Sequence, residues 1–379
     1  MRPHLRAYRP PRRQRGVAVI TALLLTTLAI SIVASLFWQQ QVEVRSMENQ
    51  RLNQQTRWIL RGALDWATLV LRQDAYDNNR YTALTHVWAT PLAETRLDQY
   101  IERERVEGEH FDASLSGDIV DATSRYNLRN LENGNRIDKA QLEIFQRLLT
   151  NLRINPALAR TTANLVAAGQ PVIASPGAVD PLTGEEIGGQ ERDPSQGGNP
   201  EAAVGGVGIR GINEDHADPG AGLEANEQNS LPVSREGIGT PIKFMEVEDL
   251  LAVKGFTPEM LERLRPFVIV LPERTAVNVN TASPEVLAAV IPNYSLSEAN
   301  ALLARRRNVP WDDIAKFKAE INRPNLVDAA VSVKSDWFLV NSRIRLERAA
   351  LNAQALIQRS ANPLSGAGGG VKVVWVRQN

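Results

Sequence analysis

The chain has no cysteine, and its four histidines (His4, His86, His110 and His216) stand far apart, with no His-x-x-x-His spacing. Thiolate chemistry, disulfides and cysteine-based zinc sites are therefore excluded, and a histidine-based metal centre has no sequence support. Two carboxylate pairings could in principle do acid–base work, Asp121 with Ser124 and Asp312 with Asp313. Neither comes with a nucleophile elbow, a phosphate loop or a histidine-paired nucleophile, so the expectation is that the chain is not an enzyme. Asp312 and Asp313, after Pro310 and Trp311, read instead as a turn and helix cap.

Oxygen ligands are denser elsewhere. Glu214, Asp215, Asp218, Glu224 and Glu227 form the tightest acidic cluster. Calcium takes six to eight oxygens, often from irregular loops. No EF-hand spacing is present, and two readings stay open, a solvated acidic loop and a calcium site. Cationic chemistry centres on Arg305-Arg306-Arg307, which follow Asn278-Val-Asn-Thr-Ala282 in a pattern that resembles the helix-hairpin-helix module of membrane-anchored DNA receptors. The hairpin itself, Pro292-Asn-Tyr-Ser-Leu296, lacks the glycine that lets backbone amides approach phosphates. Residues 254–316 carry eight basic and seven acidic side chains, and the whole chain balances 43 against 43. That is too little positive charge to track a phosphate backbone, so no nucleic-acid partner is expected.

These groups must be positioned by elements that begin with an asymmetric N-terminus. Six arginines and no acid lie between Arg2 and Arg15, and Gly16–Trp38 is a run of 23 uncharged, mostly apolar residues. As a helix that run is about 34 Å long, enough for a hydrocarbon layer of about 30 Å. The arginines hold the N-terminus in the cytoplasm by the positive-inside rule. Val17, Leu24, Ile30, Phe37 and Trp38 would form the anchor, with Trp38 at the interface and the bulk of the chain periplasmic. A cleaved signal would have a shorter apolar core and a small-residue exit site.

The helical pattern continues to about Arg72, since residues 17–90 contain no proline and one glycine, Gly62. Ile59, Ala63, Trp66 and Val70 fall on one stripe that should face a core, with Arg45, Arg51, Arg57 and Arg61 solvated. Residues 109–121 alternate as a strand or hairpin with Gly117-Asp118 as its turn, and Asp138 caps an amphipathic helix to Leu152. Residues 169–241 hold 15 of the 25 glycines, eight prolines and no Phe, Trp or Tyr. They cannot bury a core and read as a loop. Thr257-Pro258-Glu259 and Ser283-Pro284-Glu285 start further helices. Residues 336–346, 349–359 and 371–377 alternate as closing strands, with Gly366–Gly370 connecting the last two.

Three motifs carry a family resemblance: the leader around Arg15-Gly16-Val17, the segment Asp121-Ala-Thr-Ser-Arg-Tyr-Asn-Leu-Arg-Asn-Leu131, and Val277-Asn-Val-Asn-Thr-Ala282. With the long stem, they resemble general secretion pathway protein K, the large minor pseudopilin family of type II secretion. Thr21, where pilin-like chains usually carry glutamate, is itself a mark of that subunit. The resemblance implies an α+β fold, a pilin-like long N-terminal helix packed on an antiparallel sheet with a large inserted all-α domain. It divides the chain into a leader (1–16), a transmembrane helix (17–38), the outer stem with a helix or loop after it (39–108), the first core strands (109–127), the insertion (128–330, with loop 169–241) and the closing strands (331–379). It further implies cleavage between Gly16 and Val17 by a prepilin peptidase, an inner-membrane precursor, and a tip complex with other minor pseudopilins. The Trp- and Asp-rich calcium-binding stretch of the family is replaced here by Leu165-Val-Ala-Ala-Gly-Gln-Pro-Val172.

Overall fold

A computed structural model describes residues 17–97, 112–169, 230–233, 243–323, 326–360 and 370–378. Gly16, the acidic cluster Glu214–Glu227 and the Gly366–Gly369 connector lie outside the described residues.

One helix, α1 (Val17–Asp77), carries the chain from the apolar segment into the head. Within α1, Thr21, Thr26, Thr27 and Ser31 return their hydroxyls to carbonyls three or four residues back. An apolar environment therefore meets no orphaned polar group on those four side chains. Leu24, Ile30, Phe37 and Trp38 are all exposed, and this part of α1 is long and apolar enough to cross a membrane.

The outer half of α1 packs on a five-stranded antiparallel sheet ordered β1-β2-β10-β11-β12. Its strands are β1 (Leu92–Arg96), β2 (Ala113–Asp121), β10 (Trp337–Leu346), β11 (Ala349–Arg359) and β12 (Val371–Gln378). Leu60, Leu64, Ala67 and Leu71 of the helix meet Phe338, Val340, Ile344, Ala355 and Ile357 of the sheet in one core. The far side of the sheet packs Leu339, Leu356 and Trp375 against Ile269 and Leu271 of the insertion.

Two expectations need correction. The stem stripe is rotated: Ala63 is buried, but Ile59 and Val70 only flank the core and Trp66 is exposed. Gly117 is not a turn residue, because β2 runs unbroken from Ala113 to Asp121. A Cβ at Gly117 would lie 2.3 Å from the Asn341 carbonyl oxygen, so glycine is needed there for the approach of β10.

Between β2 and β10 the chain builds a helical domain with its own core. Its helices are α2 (Lys139–Asn151), α3 (Leu158–Ala168), α4 (Pro258–Leu264), α5 (Pro284–Val290), α6 (Leu296–Asn308) and α7 (Ile314–Ile321). Two- and three-residue strands pin its loops: β3 (Tyr126–Asn127) on β7 (Val268–Ile269), β4 (Glu132–Asn133) on β5 (Arg136–Asp138) and β5 on β6 (Ser230–Leu231), and β8 (Val277–Asn278) on β9 (Val331–Ser332). The capping expectations agree with the structure. Asp138, Thr257, Ser283 and Asp313 accept backbone N–H bonds at the starts of α2, α4, α5 and α7. Gly255, at φ +104°, makes the left-handed turn ahead of α4.

Candidate functional site: a buried polar junction and an exposed stem face

The insertion joins the sheet through a polar cluster in which Asp121, Thr123, Asn278 and Ser335 are all buried. Asp121 is the last residue of β2, and its Oδ1 accepts bonds from Thr123 N at 2.8 Å and Thr123 Oγ1 at 2.7 Å. Its Oδ2 accepts from Asn278 Nδ2 at 3.1 Å and from the hydroxyls of Thr281 and Ser335. Five donors thus surround one carboxylate without a cation among them. This is how a buried acid is kept at tolerable cost.

The same network runs on into the stem. Asn278 Nδ2 also donates to the Thr82 carbonyl at 3.0 Å, and Ser335 N donates to Thr82 Oγ1 at 3.2 Å. Arg359, at the end of β11, donates to Thr82 Oγ1 and to the Ser335 carbonyl, both at 2.8 Å. Its other nitrogen lies 2.7 Å from Asp74 Oδ2, in the last turn of α1. His86 Nδ1 sits 2.8 Å from the second Asp74 oxygen, and Asn78 Nδ2 donates to that oxygen at 3.0 Å. Burial alone would raise the Asp74 pKa, but the hydrogen bonds and charges of His86 and Arg359 outweigh it and hold the group below the usual carboxylate value. One chain of contacts therefore links the top of the stem, the sheet and the inserted domain.

The sequence motifs that carry the resemblance lie in and beside this junction. Asn127 accepts from Leu271 N at 3.1 Å and donates to the Glu273 carbonyl at 2.7 Å, while Asn130 exchanges two bonds with the Thr275 backbone. Asn280 does the same with the Trp311 backbone. The asparagines act as side-chain stand-ins for strand pairing, holding loops distant in sequence against each other.

The candidate acid–base pairs dissolve in the fold. Ser124 donates to the Asp121 backbone carbonyl, not to its carboxylate. Asp313 caps α7, and Asp312 pairs with Lys316 at 2.8 Å. The arginine triplet is largely spent inside the fold. Arg306 is buried and donates to the carbonyls of Val279 and Ala282, and burial, with Arg307 beside it, lowers its pKa to about 10. Arg305 pairs with Glu320 at 2.7 Å and stacks over Trp311, leaving Arg307 exposed. Asn293 takes a left-handed conformation (φ +52°) in the hairpin between α5 and α6, so that turn forms without glycine. Among the described residues no group of three His, Asp or Glu side chains is arranged to hold a metal.

A second feature is the stem's outer face. Trp58, Leu69 and Tyr76 are 69%, 58% and 76% exposed. At about 100° per residue they fall within about 20° of one another, on the side of α1 opposite Leu60, Ala67 and Leu71. Gly62 lies near the same line, with nothing within 4 Å of where its Cβ would be. Sequence reasoning misses this face, because the stem offers two apolar stripes and only one can meet the sheet.

Comparison with known proteins fits this architecture. Two models described as type II secretion system protein K match residues 209–273 and 277–338, the second running from β8 to the start of β10. Type II secretion system protein K of Pectobacterium carotovorum is 22% identical, over 92% of this chain and 93% of that protein. Its counterpart in Pseudomonas aeruginosa is 26% identical, over 88% of this chain and 86% of that protein. The family models thus cover two adjoining stretches of the chain, and relatives described as type II secretion system protein K align with most of it. A similar fold is seen in the crystal structure of the GspK-GspI-GspJ complex from enterotoxigenic Escherichia coli. That structure matches with a TM-score of 0.57 at 17% identity, covering 88% of this chain and 99% of the solved one. The long helix, antiparallel sheet and helical insertion of this chain thus have a structural neighbour in GspK.

Proposed function

We propose that this chain is a minor pseudopilin of the protein K family, held in the inner membrane by the apolar half of α1 and assembled through its stem into a complex with other minor pseudopilins. The exposed side chains of Trp58, Leu69 and Tyr76 carry this reading, because they stand bare on the side of α1 turned away from the sheet, with Arg51 and Asp65 between and beside them. Large apolar groups aligned and exposed on a soluble helix mark an interaction site. The solved relative, crystallised with GspI and GspJ, supports neighbours of the same class. The helical domain, fixed by the polar junction, would sit as a bulky cap at the pseudopilus tip and support protein export.

Co-purification with the cognate minor pseudopilins tests this. The wild-type chain should retain them, and Trp58→Asp with Leu69→Asp should release them while the head keeps its melting temperature. Retention by that variant would argue against stem docking.

Processing between Gly16 and Val17 by a prepilin peptidase belongs to the same proposal. N-terminal sequencing of the membrane-extracted protein should read Val17-Ala-Val-Ile-Thr21, and a start near Trp38 would mean an ordinary signal peptide. Calcium binding by Glu214, Asp215, Asp218, Glu224 and Glu227 is a separate proposal, tested by whether millimolar calcium raises the melting temperature above that in chelator.

A further inference from the structure

The turn between β10 and β11 lies against the middle of the stem. Glu347 takes a left-handed conformation there (φ +50°), and Arg348 reaches back to the stem, donating to Glu48 Oε2 at 2.9 Å and Asn49 Oδ1 at 3.1 Å. Below this contact, stem and turn enclose an open groove of about 740 Å³ lined by Phe37, Gln40, Gln41, Val44, Arg45, Glu48, Asn49 and Arg348. Its lower end is apolar and its upper end carries guanidinium and amide donors beside one carboxylate. Arg45 has no acidic partner among the described residues.

Depth along α1 places this groove. Trp38 closes the apolar run, and the polar headgroup layer adds about 5–7 Å beyond the hydrocarbon. Gln40 to Arg45 lie roughly 3–10 Å beyond Trp38 along the axis. Helical side chains lean toward the N-terminus, which here is toward the bilayer, so Arg45 brings its guanidinium down into that layer. Gln41, Arg45 and Glu48 lie about 80–140° round the helix from the Trp58–Tyr76 line, so a helix docked on that line leaves these three side chains uncovered.

We propose that this groove binds the headgroup of a phosphoethanolamine lipid. The phosphate would sit between Arg45 and Arg348, the ammonium against Glu48, and the first acyl carbons against Phe37 and Val44. Guanidinium groups suit phosphate oxygens, and a nearby carboxylate favours a zwitterionic headgroup over a purely anionic one. Such a lipid would tie the head to the membrane surface and set its height before assembly. The proposal rests on reading the apolar half of α1 as a membrane anchor.

The test is photo-crosslinking of the full chain in nanodiscs of phosphatidylethanolamine doped with an analogue carrying a diazirine on its headgroup. Labelled peptides are then mapped by mass spectrometry, and a second analogue with its diazirine on the acyl chain reports membrane insertion. The headgroup probe should label the peptide containing Arg348, far along the chain from the anchor. Arg45→Gln with Arg348→Gln should lower that labelling roughly tenfold while acyl-chain labelling of residues 17–38 stays unchanged. Absence of label at the Arg348 peptide, or label unaffected by the double variant, would overturn the site. Equal labelling by a phosphatidylcholine analogue would overturn the ethanolamine assignment, and suppression by millimolar inorganic phosphate would point to a soluble anion instead of a lipid. If residues 17–38 take no acyl-chain label, the anchor reading fails and the proposal falls with it.

Discussion

The polar junction and the stem face break the usual rule of protein surfaces in opposite senses. At the junction, charged and polar side chains are buried; on the stem, Trp58, Leu69 and Tyr76 are bare. Apolar residues scattered on a surface mean little, whereas buried charge and aligned apolar exposure both need a reason. The junction has its reason inside the chain: both Asp121 carboxylate oxygens are satisfied by side chains or backbone of the same molecule. The stem face has none among the described residues, and the proposed function places its reason in another molecule. On that proposal one region fixes the shape of the subunit and the other serves assembly.

The contrast can be broken most forcefully at Arg359. Arg359→Met leaves Asp74 buried with only His86 and Asn78 beside its carboxylate and should cost about 3–5 kcal/mol, read as a fall in the denaturation midpoint. Retained stability would mean that Asp74 is not held as an ion. Asp121→Ala should cost less, about 2–3 kcal/mol, because the stranded hydroxyls of Thr123, Thr281 and Ser335 can partly bond one another. If hydrogen exchange then accelerates in the inserted domain more than in the stem, the junction acts as a fastener between them.

A subtler effect is the acid limb. The Asp74 pKa is lowered in the folded state. Its contribution is therefore fully present above the ordinary carboxylate value and is lost as pH falls through the lowered one. Melting curves of the full chain in detergent should steepen in decline below about pH 4. Asp74→Asn, though less stable at neutral pH, should lose that part of the slope. The smallest expected change in stability is on the stem, where Trp58→Ala should stay within about 0.5 kcal/mol while assembly suffers.

Local signals are legible in the sequence. The caps at Asp138, Thr257, Ser283 and Asp313 follow from residues within one turn, and the closing strands follow from alternation. What escapes depends on distant chain. The Gly117-Asp118 pair reads as a turn until the approach of Asn341 is known, and β1, with Glu94 and Arg96 on a sheet edge, lacks the alternation that would betray it. Trp66 reads as a core residue because periodicity reports an apolar stripe without saying which stripe the sheet covers. Asp121 and Ser335 are 214 positions apart, so no window of sequence can join them, although the motifs containing Asp121, Asn278 and Thr281 stand out on their own.

Because the chain has no cysteine, a single introduced thiol can be followed anywhere along the stem. Cysteines placed one at a time from position 57 to 76 would be labelled in the full chain, with and without the cognate minor pseudopilins. Docking on the stem predicts protection that peaks at 58, 62, 69 and 76 and fades at 57, 61 and 66. Protection spread evenly around the helix, or none at all, would contradict it.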